Sequence, residues 1–302
     1  MKTVLALGMF DGVHLGHRAL IAHAAASARA ISAETVVLTF SNHPRELLFG
    51  TCAYVSTLAL RTQLCLACGA DRVDAVPFDA SFAAQSPEAF VAWLFQTYPK
   101  TVDVVVGYDY TFGAAAAGDG ALLESLCAPY GCTVEILPPV RYKGEPCSST
   151  RVRAAITAGD MEDAEGMLGR PFMLSGTVEH NKAFGRRYGY PTANIDTGKL
   201  LLPMDGVYAT MLTVDGRDYC AVTNVGNNPT VQGTRRTVEA HVPNETLALY
   251  GKRVDLAFFE RLRGEITFAS PEALYAQVAA DAESAKKVYA ERKKTVYNPN
   301  GL

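Results

Sequence analysis

The sequence contains no long hydrophobic run and no block of like charges. Its apolar stretches end well short of the roughly 18 consecutive residues that a transmembrane helix requires. No long acidic or basic run occurs, and the formal net charge is −3, which argues against nucleic acid as a partner. The first residues resemble a signal peptide, but Asp11 and His14 interrupt the apolar stretch and no small-residue cleavage site follows. We therefore expect a cytoplasmic protein with no membrane or nucleic-acid partner.

Cysteine occurs in an odd number, seven, and the residues are scattered along the chain. A chain of 302 residues is large enough to fold without disulfides, so we expect reduced thiols. Cys65 and Cys68 form one Cys-x-x-Cys pair, but no second pair of metal ligands accompanies it. A zinc or thioredoxin-like site is therefore not predicted. The helical spacing predicts instead that both residues face the core.

The first part of the chain has the pattern of an α/β domain. Near-continuous apolar runs such as TVLAL and VDVVVG alternate with helical stretches, which predicts a doubly wound parallel sheet. Ser86 and Pro87 are typical of a helix start. Two short helices, broken near Gly159, close this domain, which we place at residues 1–168.

The second part of the chain, residues 169–302, has short β-type runs separated by turn residues. Asp215-Gly216 between two such runs predicts a tight hairpin, because a type I′ turn needs positive φ at both positions. A helix beginning at Ser270 and Pro271 ends the pattern. We predict a small antiparallel barrel or sandwich followed by a C-terminal helix.

The segment GMFDGVHLGHRALI, residues 8–21, places histidines and glycines where the first strand leads into a helix. Parallel sheets bind ligands at this edge, and the free N–H groups of a helix start favour an anion. His14 and His17 would add donors, while Gly8 and Gly12 would let the backbone approach the anion. The spacing differs from dinucleotide and P-loop motifs. The alternative is that these histidines are ordinary residues beside a tight turn.

The segment SSTRVR, residues 148–153, also precedes a helix. Its hydroxyls and helix-start N–H groups can bind an anion, and Arg151 and Arg153 supply fixed charge. Taken alone, the segment is compatible with an ordinary helix cap and solvated arginines. Together with residues 8–21, it predicts the second side of a triphosphate-binding site.

These two segments resemble the signature sequences of the HxGH nucleotidyltransferases. With TFSNHPRELL, VPFDASFAAQSPEAF, VVGYDYTFG and GRRYGYPTANID (residues 185–196), they resemble one family, the bacterial bifunctional riboflavin kinase and FMN adenylyltransferase, or FAD synthetase. The resemblance covers nearly the whole chain. It implies a Rossmann-like nucleotidyltransferase domain that joins FMN to the AMP part of ATP and releases pyrophosphate. It also implies a small antiparallel β-barrel kinase domain that phosphorylates riboflavin with ATP.

In the first domain, the resemblance implies that His14, His17 and Arg153 are catalytic. It further implies ATP or phosphate contacts from nine residues: Gly8, Phe10, Asp11, Gly16, Asp109, Ser148, Ser149, Thr150 and Arg151. The attacking phosphate of FMN has a second pKa of about 6 and is already ionised at neutral pH. This reaction therefore needs orientation and charge stabilisation rather than a base.

In the second domain, the riboflavin hydroxyl must lose a proton, and the resemblance makes Glu239 the catalytic carboxylate. Thr192 and Asn194 offer hard oxygen ligands for Mg²⁺. Asn224 and Arg263 are implied to contact the flavin. The residues implied to contact ATP are Gly185, Arg186, Gly189 and Pro191. The glycines also fit an ordinary turn, and Arg263 also fits a surface arginine.

The sequence departs from the family after GYDYTFG, where basic residues are usual. Thr111 and the alanines of residues 114–117 stand here, so we expect weaker binding of ATP or FMN. One alternative is therefore a riboflavin kinase with a weak or inactive adenylyltransferase domain. Another is a different HxGH nucleotidyltransferase, which leaves GYPTAN and the barrel unexplained. A flavin-binding module without turnover is the third, and the presence of Thr192, Asn194 and Glu239 argues against it. The expected partners are riboflavin, FMN and ATP, and a homo-oligomer is compatible with the sequence.

Overall fold

The computed structural model describes residues 1–179, 192–230, 233–245 and 247–293. The contacts divide the chain into two compact units between Ser149 and Thr150. The helices that follow this point group with the second unit, and the helix Met161–Leu168 contacts two of its strands. The domain boundary after residue 168 stays a prediction.

The first unit is a five-stranded parallel sheet with helices, as the sequence predicts. Its strand order is β3-β2-β1-β4-β5. The elements in chain order are β1 (Thr3–Leu7), α1 (Leu15–Ala30), β2 (Glu34–Phe40), α2 (Pro44–Phe49), α3 (Leu58–Ala67), β3 (Arg72–Val76), α4 (Ala80–Ala83), α5 (Pro87–Thr97), β4 (Thr101–Gly107), α6 (Gly120–Cys127), β5 (Thr133–Leu137), β6 (Arg141–Tyr142) and β7 (Glu145–Pro146). The last two strands form a separate antiparallel pair.

Burial on both faces explains why the central strands are continuously apolar. All five residues of β1 are buried, and β1 lies between β2 and β4. The predicted start of α5 is confirmed, since the Ser86 hydroxyl accepts a hydrogen bond from the Ala89 N–H at 3.2 Å. The core on one side of the sheet is built from aliphatic and aromatic side chains of the strands, α5 and α6.

The second unit contains a closed antiparallel barrel of six strands, which confirms the predicted barrel. The strand order around the barrel is β10-β11-β12-β9-β8-β13. The elements are α7 (Ser149–Ala158), α8 (Met161–Leu168), β8 (Phe172–Glu179), β9 (Thr192–Asp196), β10 (Gly206–Val214), β11 (Arg217–Thr230), β12 (Gly233–His241), β13 (Arg253–Arg263) and α9 (Pro271–Lys293).

Local turn chemistry and helix packing account for two features of this barrel. Asp215 and Gly216 join β10 to β11 with φ angles of 50° and 72°, which confirms the predicted hairpin. Helix α9 packs Ala282 and Ala285 against Val207 and neighbouring side chains of the outer barrel wall. Small residues allow this close approach of helix and sheet.

The cysteines agree with the sequence analysis in one respect and correct it in another. All seven are free. Cys65 is buried, but Cys68 is partly exposed because it is the C-terminal cap of α3, so the two do not face the core together. No helix in the described part of the chain is long and apolar enough to cross a membrane.

Candidate functional site

The loop between β1 and α1 lies at the carboxyl edge of the central strand of the first unit, where parallel sheets bind ligands. Its backbone is strained. Phe10 and Val13 have φ angles of 51° and 44°, and Gly12 has a φ of 81°. Non-glycine residues adopt such angles only where surrounding contacts hold them, and they cluster at functional sites.

Asp11 holds this loop in place through hydrogen bonds. Its side chain is 1% exposed, and it accepts hydrogen bonds from the Val55 N–H, the Ser56 N–H and the Ser56 hydroxyl at 3.0 to 3.2 Å. The Gly12 N–H donates to the same hydroxyl at 3.0 Å. The carboxylate therefore ties the loop to residues 55–56. The ATP contact implied for Asp11 stays a prediction.

The second segment joins the first at Ser149, whose hydroxyl donates to the Asp11 carbonyl at 3.2 Å. Arg151 and Arg153 lie in the first turns of α7, half-buried. Their phosphate-binding role stays a prediction, as do those of Ser148 and Thr150.

His14 and His17 form a stacked pair at the start of α1. Their ring centroids are 3.6 Å apart, and the planes are 19° from parallel. His14 is the N-cap of the helix, and its Nδ1 accepts the His17 N–H at 3.4 Å. Because Nδ1 is an acceptor, the proton of a neutral His14 lies on Nε2. Gly16 permits this arrangement, since a Cβ there would lie 3.1 Å from the His14 ring.

Both imidazoles are held in the neutral form. Burial lowers the pKa of His14 to about 4, against an opposing effect of the Asp11 charge. Burial also holds the pKa of His17 well below its ordinary value, with further lowering from His14 and Arg61. The Nδ1 atom of His17 is buried and has no hydrogen-bond partner among the described residues. The pair is therefore uncharged at neutral pH, and His17 Nδ1 remains a polar atom that a ligand could satisfy.

A cavity of about 550 Å³ opens beside His17 and the loop. Gly8, Phe10 and Asp109 contribute to its wall, and a Cβ at Gly8 would lie 3.0 Å from the Phe10 ring. Besides Phe10 and His17, the aromatic residues that line the cavity are Phe40, Phe78, Phe82, Phe90, Tyr110 and Phe112. The size and the apolar lining suit a drug-sized planar ligand.

The segment that departs from the family pattern forms part of this cavity wall. Thr111, Ala115 and Ala116 line the cavity, and both alanines have positive φ angles, 54° and 56°. The neutral segment therefore faces the cavity, and the weaker binding of ATP or FMN expected from it stays a prediction.

Sequence reasoning missed Arg61 and the aromatic residues Phe78 and Phe82. Arg61 is 1% exposed and donates hydrogen bonds to backbone carbonyls beside the loop. A charged residue within the apolar pattern of LALRTQLCLA was the available signal. The two phenylalanines lie within VPFDASFAAQSPEAF, a segment that carries the family resemblance, but an aromatic residue that lines a cavity and one that fills a core look alike in sequence.

In the second unit, three polar side chains lie on adjacent strands in direct register. Asn194 of β9 is opposite Glu239 of β12, and Glu239 is opposite Asn224 of β11. Residues directly opposite in an antiparallel pair share a face, with Cβ atoms about 5 Å apart. Thr192, two residues before Asn194, lies on the same face. The barrel therefore brings together four predicted site residues, Thr192, Asn194, Asn224 and Glu239.

Burial affects the proton affinity and the hydrogen bonding of these barrel residues. Glu239 is half-buried, and burial raises the pKa of its carboxyl group. The Oδ1 atom of Asn194 is buried and has no hydrogen-bond partner within the described residues. A hydroxyl, an amide oxygen and a carboxylate on one face are the hard oxygen donors that Mg²⁺ prefers, so these residues fit the ion.

Arg263 makes a different contact from the one expected. Its guanidinium binds the Asp281 carboxylate of α9 at 2.7 and 3.1 Å, which fastens the helix to β13. A contact with flavin stays a prediction. Four predicted ATP contacts lie outside the described residues: Gly185, Arg186, Gly189 and Pro191.

A histidine pair at a helix N-terminus in the α/β unit and a set of oxygen ligands in the barrel are typical of a transferase that acts on phosphorylated substrates. A family model described as FAD synthetase matches residues 1–151, and one described as riboflavin kinase matches residues 168–289. The chain belongs to the family of bifunctional riboflavin kinase/FMN adenylyltransferases, which confirms the resemblance seen in the sequence.

Two curated relatives and a solved structure support this membership. The protein of that name from Escherichia coli is 35% identical over 95% of this chain and 92% of its own. Its counterpart from Haemophilus influenzae is 32% identical over 94% of each chain. A solved structure from Streptococcus pneumoniae, titled a macrolide-efflux protein, aligns with a TM-score of 0.86 and 31% identity over 94% of each chain. The similarity thus extends over both units.

Proposed function

We propose that the protein makes FMN from riboflavin in the barrel and FAD from FMN in the α/β unit, with ATP as the donor in both steps. The observation that carries this proposal is the succession of an FAD synthetase and a riboflavin kinase domain along one chain. The two sites described above have the chemistry that each reaction needs.

In the α/β unit, the FMN phosphate attacks the α-phosphorus of ATP. The new P–O bond forms as the bond to pyrophosphate breaks, and pyrophosphate leaves with the electron pair. The neutral His14 and His17 donate N–H groups to the triphosphate beside the free N–H groups of α1. The aromatic cavity beside His17 holds the flavin ring and excludes water from it.

In the barrel, Glu239 accepts the proton of the riboflavin 5′-hydroxyl as that oxygen attacks the γ-phosphorus of ATP, and ADP leaves. The raised pKa makes Glu239 a stronger base than an ordinary carboxylate. Thr192 and Asn194 would hold Mg²⁺, which neutralises charge on the ATP phosphates when it is bound. Asn224 lies on the other side of Glu239, where it can orient the flavin.

The expected setting is the cytoplasm, where the seven free thiols stay reduced. The partners are the small molecules riboflavin, FMN and ATP.

Incubation of the purified protein with riboflavin, ATP and MgCl₂, followed by chromatography of the flavins, tests both halves. FMN should form first and FAD should follow. Formation of FMN without FAD would favour a kinase whose adenylyltransferase half is weakened by the neutral segment at Thr111 and residues 114–117. Absence of both products would contradict the proposal.

A further inference from the structure

Arg61 is a buried cation that the proposed chemistry does not use. It lies on α3 and is the largest side chain of the first unit that is essentially inaccessible to solvent, at 1% exposure. Burial lowers the pKa of its guanidinium. Removing a charge from water is costly unless hydrogen bonds compensate. The hydrogen-bond partners of Arg61 therefore indicate its role.

Those partners are the backbone carbonyls at the ends of two adjacent strands. Nη2 donates to the carbonyl of Phe40, the last residue of β2, at 2.7 Å. Nη1 donates to the carbonyl of Met9, two residues beyond β1, at 3.0 Å. The Thr39 hydroxyl also donates to the Met9 carbonyl at 2.9 Å. One planar side chain thus fixes the carboxyl ends of β1 and β2 relative to each other.

The Met9 carbonyl belongs to the peptide that precedes Phe10, where the strained part of the loop begins. Arg61 holds the loop at this end, and Asp11 holds it further along through Val55 and Ser56. The two charges are both buried and attract each other. Between them they fix the backbone that leads to the N-terminus of α1.

The guanidinium also lies close enough to act on His17. Its positive charge contributes to the low pKa of His17, together with burial and His14. Two carboxylates lie near the histidine pair: Asp11, on the loop, whose charge acts on His14, and Asp109, which lines the same cavity as His17. Arg61 Nε is buried and has no hydrogen-bond partner in the described part of the chain.

We propose that Arg61 is a positioning residue for FMN adenylylation, which fixes the β1 and β2 carbonyls and thereby sets the geometry in which His14 and His17 meet the ATP phosphates. This inference rests on the proposed function of the α/β unit. It assigns to Arg61 no contact with either substrate. A small displacement of groups that orient a reaction lowers the rate by as much as about 100-fold.

The test compares Arg61→Met, Arg61→Lys and the control Arg72→Met in the full-length protein. Arg72 is an exposed arginine of β3, paired with Glu34 and Asp74. Trp93, the single tryptophan, lies in the first unit against Phe82, so its fluorescence reports the folding of this unit and FMN binding beside it. The measurements are kcat and KM for FAD formation, riboflavin phosphorylation, and the NMR titration of the His17 ring.

We expect Arg61→Met to lower kcat for FAD formation by roughly 10- to 100-fold, with KM for FMN and the kinase rate within about threefold of wild type. The His17 titration should move to higher pH, because a positive charge is lost. Arg61→Lys retains the charge but cannot bind both carbonyls in the same planar geometry. It should leave the His17 titration in place and recover only part of kcat.

A wild-type kcat in Arg61→Met, or a loss equal to that of Arg72→Met, would overturn the proposal. If Trp93 fluorescence shows that Arg61→Met unfolds the first unit, Arg61→Lys decides, and wild-type kcat in that variant overturns the proposal. Failure of the wild-type protein itself to form FAD would instead contradict the proposed function.

Discussion

Burial shifts the pKa values of the reactive side chains in the two units in opposite directions, and the physical cause is the same. Removal from water disfavours a charged form, so it raises the pKa of the Glu239 carboxyl group and lowers the pKa values of His14 and His17. The carboxylate becomes a better proton acceptor, and the imidazoles remain neutral donors. At the scale of single residues, the structure therefore matches each group to the reaction proposed for its unit.

Glu239→Gln should lower FMN formation by roughly 10²–10⁴-fold, because the amide cannot accept the hydroxyl proton. Riboflavin binding should persist, since the substitution preserves shape. In the wild type, kcat should fall on acidification at a pH above the ordinary glutamate pKa of 4.5, because the proton is bound more tightly than usual. This fall in kcat at acidic pH should be absent in Glu239→Gln.

Rates of FMN formation measured across pH by chromatography check this prediction. The exposed Glu260 of β13 provides the control, since Glu260→Gln should retain both the rate and the fall in kcat at acidic pH. Near-normal turnover in Glu239→Gln would show that its role is structural.

At the scale of elements, the β1–α1 loop and strand β9 show how local geometry presents the reactive groups. The loop is held by hydrogen bonds to segments 44 and 45 residues away in sequence. In strand β9 the reactive group is positioned by strand pairing, because the register with β12 places Asn194 beside Glu239. Each arrangement makes a separate prediction.

Asp11→Asn should destabilise the first unit by about 1–3 kcal/mol, because the amide replaces an acceptor with a donor that faces the Val55 and Ser56 N–H groups. Denaturant unfolding followed by Trp93 fluorescence measures this change. Asp119→Asn is the matched control, since Asp119 caps α6 through the Leu122 N–H and asparagine caps equally well. Equal stability of the two variants would contradict the loop-holding role.

Thr192→Val should raise the Mg²⁺ concentration required for half-maximal kinase activity, because it removes one oxygen ligand and retains the β-branched shape. Titration of Mg²⁺ into chelator-treated protein, with FMN formation as the signal, provides the measurement. The exposed Thr177 of β8 supplies the control substitution Thr177→Val. If both variants required the same Mg²⁺ concentration, Thr192 would not be a metal ligand.

At the scale of the whole molecule, the FAD synthetase and riboflavin kinase family models match different stretches of the chain, residues 1–151 and 168–289. His17→Ala should therefore lower FAD formation by roughly 10²–10³-fold, the usual cost of losing one preorganised donor, and leave FMN formation intact. FMN should accumulate from riboflavin. Chromatography of the flavins over time gives both rates from one sample.

A mixture of His17→Ala and Glu239→Gln proteins should convert riboflavin to FAD, because FMN released by one protein can enter the other. His23→Ala serves as the control, since His23 is half-exposed and paired with Glu135. Equal loss of both activities in His17→Ala would contradict the separation of the two sites.

The sequence by itself determined the features that depend on near neighbours along the chain. The alternation of apolar runs and helices, the Ser86 cap and the Asp215-Gly216 turn follow from backbone and side-chain preferences within a few residues. The order of segments also carried the family resemblance. These features fixed the α/β unit, the barrel and the positions of the motifs.

Only the tertiary structure decided which distant groups meet. Asp11 binds Val55 and Ser56, Arg61 binds the ends of two strands, and Arg263 binds Asp281. No local pattern predicts such pairs, because they arise from strand order and helix packing across many residues. The same long-range packing buries the histidines and Glu239, and this burial shifts their pKa values away from the ordinary ones, which the local sequence does not reveal.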